Sequence, residues 1–120
     1  MKPHIDKTRF GWIEIDGRRY DHDVIIRMNG TVKKRKKKLS KAVYGTSHIL
    51  SLDEAKHTYK KGASHIVIGT GQNGVLELSD KASAYFELKG VTVEALPTPK
   101  AIRAWNRARG KVIGLFHVTC

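Results

Sequence analysis

The 120-residue sequence is poor in cysteine, proline and long apolar runs. Its one cysteine, Cys120, has no partner for an internal disulfide, so the fold has to rest on its core, and cysteine usage fits a reducing compartment. No apolar stretch approaches the roughly 18 residues that a bilayer span needs, which excludes a membrane-crossing helix. The first dozen residues carry no apolar segment of the signal-peptide kind, and a strand-like pattern begins near Phe10. Neither a secretory leader nor a transit peptide is therefore expected, and the expected location is the cytoplasm. The six histidines (His4, His22, His48, His57, His65 and His117) fall into no paired ligand spacing, so no metal site is expected. There is no G-x4-G-K-[ST] phosphate loop and no G-x-S-x-G nucleophile elbow.

Acidic residues are also scarce, 11 against 23 Lys and Arg, for a net charge of +12. The excess is local. Seven bases lie between Lys33 and Lys41, and five more (Lys100, Arg103, Arg107, Arg109 and Lys111) follow Glu94 without an acid among them. The remaining bases match the acids. Concentrated charge of this kind suits an anionic partner surface. The run KKRKKKLSK over 33–41 has charge at odd and even positions alike. It is therefore expected to be solvated on both faces, as a ribbon or loop, with Lys33, Lys34, Arg35, Lys36, Lys37 and Lys38 as candidate polyanion contacts.

The pattern predicts one α/β domain over 1–120. Asp16-Gly17 and Asn29-Gly30 are type I′ hairpin signals, and together they predict an N-terminal antiparallel meander over 10–36. Residues 42–50 look irregular. Ser51 with Glu54 fits a capping box for a helix over 52–61 that stops at Gly62. Ser79 heads a helix over 80–89. Thr98 as N-cap, with Pro99 at the first helical position, opens a third over 99–109. Apolar runs at 65–68, 91–96 and 111–118 read as strands, the last buried on both faces, with another segment at 75–78. Strands alternating with helices predict a largely parallel sheet.

Gly69-Thr70-Gly71-Gln72-Asn73-Gly74 is a literal G-x-G-x-x-G, with Glu94 where a ribose-binding acid could lie. A dinucleotide loop opens straight into a helix, whereas here the extended-looking Val75–Leu78 follows. NAD and FAD are accordingly not expected, and no cofactor is assigned. The loop could instead join two elements or form a nest of backbone N–H groups for a small anion. His117 and Cys120 invite a nucleophile–base reading. Residues three apart point to opposite faces of a strand, however, so a continuing strand cannot make them a dyad, and no catalytic residue is assigned.

Several blocks in order resemble one family: FGWIEIDGRR from Phe10, YGTSH from Tyr44, IGTG from Ile68 with Gly74, Thr98 with Ala101 and Asn106, and HVTC from His117. Together they resemble the adipogenesis-associated domain proteins and, more distantly, the mitochondrial complex I assembly factors. The resemblance implies a three-layer α/β fold with a mixed central sheet and no established enzymatic activity. It also implies action by binding other proteins, as the mitochondrial members do. The matching positions Tyr44, Gly45, His48, Gly69, Thr70, Gly71, Gly74, His117 and Cys120 make a candidate ligand crevice at the C-terminal end of strand 65–68, where open α/β sheets place their clefts.

The resulting expectation is a non-enzymatic protein-binding or assembly module whose partner is another protein. Two alternatives stand beside it. One is a small-anion binder or enzyme using the 69–74 loop. The other is a nucleic-acid-binding protein using the 33–41 run. Composition and pattern do not select a partner or an oligomeric state.

Overall fold

The computed structural model describes residues 2–120. The chain opens with β1 (Ile5–Arg9), β2 (Trp12–Ile15) and β3 (Arg18–Tyr20), an antiparallel meander. Asp16 (φ 47°) and Gly17 (φ 79°) form the tight turn between β2 and β3, both in the left-handed conformation that a type I′ hairpin demands. β4 (Val24–Ile26) and β5 (Val32–Lys34) follow, then α1 (Lys38–Tyr44), β6 (Ile49–Leu50) and α2 (Leu52–Thr58). The second half alternates β7 (His65–Thr70), β8 (Glu77–Leu78), α3 (Asp80–Leu88), β9 (Thr92–Leu96), α4 (Thr98–Arg107) and β10 (Val112–His117).

The central sheet has the order β5-β4-β10-β7-β9. β10, β7 and β9 are parallel, and β4 runs antiparallel to β10 and β5, so the sheet is mixed. The three strands expected to share a sheet do so, and the three expected helices pack on it, each ending one to three residues before its predicted C-terminus. β6 and β8 form a separate two-stranded parallel pair. No helix is long and apolar enough to cross a membrane among the described residues.

Alternation along the central strands divides the core between the two faces of the sheet. Val24, Ile26, Val67, Val112 and Phe116 face α4 and the N-terminal meander, where Ile5, Ile13, Ile15, Ala101 and Trp105 meet them. Ile25, Ile66, Ile68, Ile113 and Leu115 face α2 and α3, which supply Ala55, Ala82 and Phe86. Each large side chain so buried contributes roughly 1.5–3 kcal/mol. Trp105 and Phe116 pack edge to face at 5.9 Å. Gly114 makes room for them, since a Cβ there would lie 2.6 Å from Phe116 and 2.9 Å from Trp105. The meander is tied to α4 by Asn106, whose amide oxygen accepts from Ile5 N (3.0 Å) and whose amide nitrogen donates to Ile5 O (2.9 Å).

Several expectations need correction. The hairpin at Asn29-Gly30 belongs to the central sheet and not to the meander, because Val24, Ile25 and Ile26 are all buried and need cover on both faces. It is also not a type I′ turn, since only Gly30 of the pair has positive φ. The run 33–41 is neither a ribbon nor a loop solvated on both faces. Its second half starts α1, and Arg35 and Ser40 are buried. The capping box at α2 is half formed: Ser51 Oγ accepts from Glu54 N (3.1 Å), but the Glu54 carboxylate turns to Arg35. Finally, Thr98 is the first residue of α4 and does not cap it, and its hydroxyl has another task described below.

Candidate functional site

Arg35 lies at the centre of a buried polar cluster. It is 3% exposed, and its guanidinium bonds inward on every side. Nε and Nη2 hold Glu54 bidentately (2.6 and 2.9 Å), Nη1 donates to Asp23 Oδ2 (2.9 Å), and Nη2 also donates to Ser47 O (2.8 Å). Asp23 is shared, because the same Oδ2 takes the N–H of His117 Nδ1 (2.8 Å) while Oδ1 accepts from Val118 N (2.8 Å). Burial alone would push the Asp23 carboxyl up. The His117 and Val118 hydrogen bonds and the Arg35 charge outweigh it and hold that carboxyl at about 2. Burial would likewise lower the Arg35 guanidinium, but Glu54 and Asp23 together keep it above its ordinary value. Arg35 is therefore withdrawn from the candidate polyanion contacts, while Lys33, Lys34, Lys36, Lys37 and Lys38 remain exposed.

The glycine loop sits at the other end of the His117 side chain. With Nδ1 committed to Asp23, His117 Nε2 faces Thr119 Oγ1 at 3.2 Å, and the His48 ring packs edge-on against the imidazole at 5.3 Å. Gly71 (φ 104°) closes this corner. A Cβ there would fall 2.2 Å from the Cys120 carbonyl carbon and 2.8 Å from His117 Cδ2. Gly71 N donates to Thr98 Oγ1 (2.9 Å), which in turn donates to His117 O (2.6 Å), so the Thr98 hydroxyl staples the loop to β10. The loop's other N–H groups are used as well. Gln72 N donates to Thr119 O (2.7 Å), and Asn73 N and Val75 N donate to Cys120 O (2.9 and 3.3 Å). The chain's own final residues thus fill the nest that an anion would occupy. The loop leads into β8 and not into a helix, so it lacks the geometry that places a pyrophosphate on a helix N-terminus.

The structure brings His48, Gly71, His117 and Cys120 together. β10 ends at His117, so strand alternation does not govern where Cys120 lies. Gly69 and Gly74 face Thr98 and Pro97 respectively. Tyr44 stands apart from the His117 corner, on a shallow groove with Ile49, Glu77 and Leu78, and Gly45 (φ 70°) ends α1 beside it.

Leu78 also lines a second groove, of about 480 Å³, between α3 and the outer edge of β9. Phe86, Val91, Val93 and Ala95 form its apolar floor, Ser83 sits on its wall, and Glu87 is its one charged residue among those described. β9 is the last strand of the central sheet. Thr92 N donates to Ser64 O (3.2 Å), so by strand alternation Thr92, Glu94 and Leu96 turn their N–H and C=O toward β7. Val93 and Ala95 turn theirs outward, where no strand among the described residues pairs with them. Leu88, 82% exposed, continues the apolar surface along α3 past Glu87. None of this edge was among the residues expected from sequence. The alternating TVEAL showed a strand but not that the strand would be last in its sheet.

Solved structures resemble the chain over its whole length. A conserved hypothetical protein from Pyrococcus horikoshii, PH1505, is 32% identical, with full coverage of both chains and a TM-score of 0.90. A second, named MT938, is 30% identical over 99% of this chain and 100% of that one, with a TM-score of 0.85. A Bordetella pertussis protein described as a Mth938-like domain shares the fold at 20% identity (TM-score 0.61, covering 97% of this chain and 85% of that one). Residues 5–117, from the first strand of the meander to the end of β10, match the family described as protein of unknown function (DUF498/DUF598), and the chain belongs to that family.

Proposed function

We propose that this chain is a non-enzymatic, cytoplasmic protein-binding module that takes an extended segment of a partner protein as an added strand against β9. The observation that carries this reading is the open edge itself: outward N–H and C=O groups at Val93 and Ala95, above a groove floored by Phe86 and Val91. Strand addition draws affinity from such backbone groups and specificity from pockets under alternate side chains. An uncovered edge strand is a hazard in a stable protein, and this five-residue one has neither proline nor lysine to blunt it, only the charge of Glu94.

Charge favours a basic segment with alternating apolar residues. Glu87 lines the groove, and Glu77 and Asp80 outnumber Lys81 along its continuation toward Tyr44, although the chain as a whole is strongly cationic. In the register centred on Glu94, antiparallel pairing with a second copy would set two carboxylates opposite each other. The resemblance to adipogenesis-associated proteins and complex I assembly factors supports the same class of function, because the latter act by binding other proteins. The glycine loop supports an anion site less well, because its donors already hold Thr119 and Cys120.

The test is selection of peptides from a random display library against the native chain, with Ala95→Pro as the counter-target. Proline is tolerated where an edge N–H faces outward, so the variant folds yet loses one of the two outward donors. Selected peptides with alternating apolar residues and a Lys or Arg that bind the native chain but not Ala95→Pro support the proposal. Peptides that bind both equally refute it.

A further inference from the structure

A second recess, sharing no lining residue with the β9 groove or the glycine loop, gathers cations. It lies between the turn after β4 and the C-terminal end of α2, has a volume of about 580 Å³, and is lined by Arg27, Met28, Lys56, His57, Tyr59 and Lys60, with Asn29 at its lip. Among the described residues, no carboxylate lines it. Lys56 and Lys60, four residues apart at the end of α2, are both exposed.

Arg27 is fixed in the wall. Nη1 donates to the carbonyl of His57 (2.9 Å) and, more weakly, to that of Thr58 (3.4 Å), two of the carbonyls left open at a helix end. Nη2 donates to His57 Nε2 (3.1 Å), so the neutral imidazole carries its proton on Nδ1. The charged groups around His57 are Arg27 from β4's end, Lys36 from the chain before α1, and Glu54 with Lys56 and Lys60 from α2 and its end. Burial, then the Arg27 and Lys36 charges, hold His57 below its ordinary value against the weaker pull of Glu54. Like charges gathered without a counter-ion are relieved by an anion, and an orienting arginine with two exposed lysines is a phosphate-binding set. Tyr59 and Met28 add an apolar wall beside it.

We infer that this recess binds a small phosphorylated ligand, a phosphomonoester or diphosphate carried on a flat ring in the manner of a nucleoside phosphate. Lys56, Lys60 and Arg27 meet the phosphate, and Tyr59 and Met28 lie against the ring. The inference is independent of strand addition at β9.

The experiment is an amide and imidazole NMR titration of the whole chain with ADP, pyrophosphate, inorganic phosphate and adenosine. ADP is expected to saturate, with shifts confined to residues 27–30 and 56–60. The His57 midpoint should rise, because a bound anion favours the imidazolium. Pyrophosphate should move the same residues more weakly, and adenosine none. Lys56→Gln with Lys60→Gln, both at exposed positions, should weaken ADP at least about tenfold. Tyr59→Leu should weaken ADP but not pyrophosphate, and Lys33→Ser with Lys37→Ser should change neither. The inference is overturned by any of three results: no saturation by ADP or pyrophosphate up to about 10 mM, shifts spread equally over 33–38 and 100–111, or unchanged binding in the Lys56/Lys60 variant. Tighter binding of a long RNA than of ADP at the same residues also overturns it, since the site would then read a polymer.

Discussion

Replacing Arg35 by Met tests the buried cluster most severely. The substitution keeps the bulk of the side chain and removes its charge and four hydrogen bonds, three to carboxylate oxygens and one to Ser47 O. The two carboxylates do not suffer equally. Asp23 keeps the N–H of Val118 and that of His117 Nδ1, whereas Glu54 keeps only the Ser40 hydroxyl. Glu54 is 1% exposed, so most of the cost is a carboxylate left buried without a cation. Breaking such a pair costs about 3–5 kcal/mol, a large share of the roughly 5–15 kcal/mol that holds a domain of this size. Urea unfolding at neutral pH should show a fall in midpoint of that magnitude at unchanged slope. Arg35→Met combined with Glu54→Leu should be less destabilised than the sum of the single changes, because the pair is lost together. A loss below about 1 kcal/mol, or strict additivity of the pair, would refute the reasoning.

Further outcomes follow from the same structure. Changing Lys33, Lys34, Lys36, Lys37 and Lys38 to Ser together should leave unfolding within about 0.5 kcal/mol of the parent, the reverse of Arg35 in their midst. Gly114→Ala should cost about 1–3 kcal/mol by calorimetry, since its methyl group meets Trp105 and Phe116 well inside contact distance. The Asp23 carboxyl, at about 2 in the fold against an ordinary 3.8, adds stability that is complete above about pH 5 and drains away as pH falls through 2. The amount is about 2 kcal/mol, so Asp23→Asn should flatten acid unfolding in that window.

The regular elements were legible because local signals agreed with burial. Asp16-Gly17, Ser79 and the apolar runs at 65–68, 91–96 and 111–118 each act through their own backbone. Arg35 was not legible, since what singles it out is the pairing of residues 12 and 19 positions away, which only the folded chain creates. One signal was present: it is the sole arginine in a run of lysines, and arginine is the cation suited to bidentate burial. Glu54 was read through its nearest neighbour, Ser51, and therefore as half of a cap. Of the nine positions named together from blocks far apart in sequence, His48, Gly71, His117 and Cys120 lie at one corner of the fold and Tyr44 lines another groove. That the loop's N–H groups would be consumed by Thr119 and Cys120 depends on how the last three residues turn after β10, which no pattern encodes. The open edge at β9 is likewise a property of strand order alone.

Amide hydrogen exchange at Val93 and Ala95, measured with and without a saturating selected peptide, tests strand addition most directly. Free chain should exchange quickly at these two amides and slowly at Glu94 and Leu96, whose N–H groups face β7. Bound peptide should protect Val93 and Ala95 and leave the other two unchanged. Protection that appears elsewhere while Val93 and Ala95 still exchange quickly would contradict an added strand at this edge.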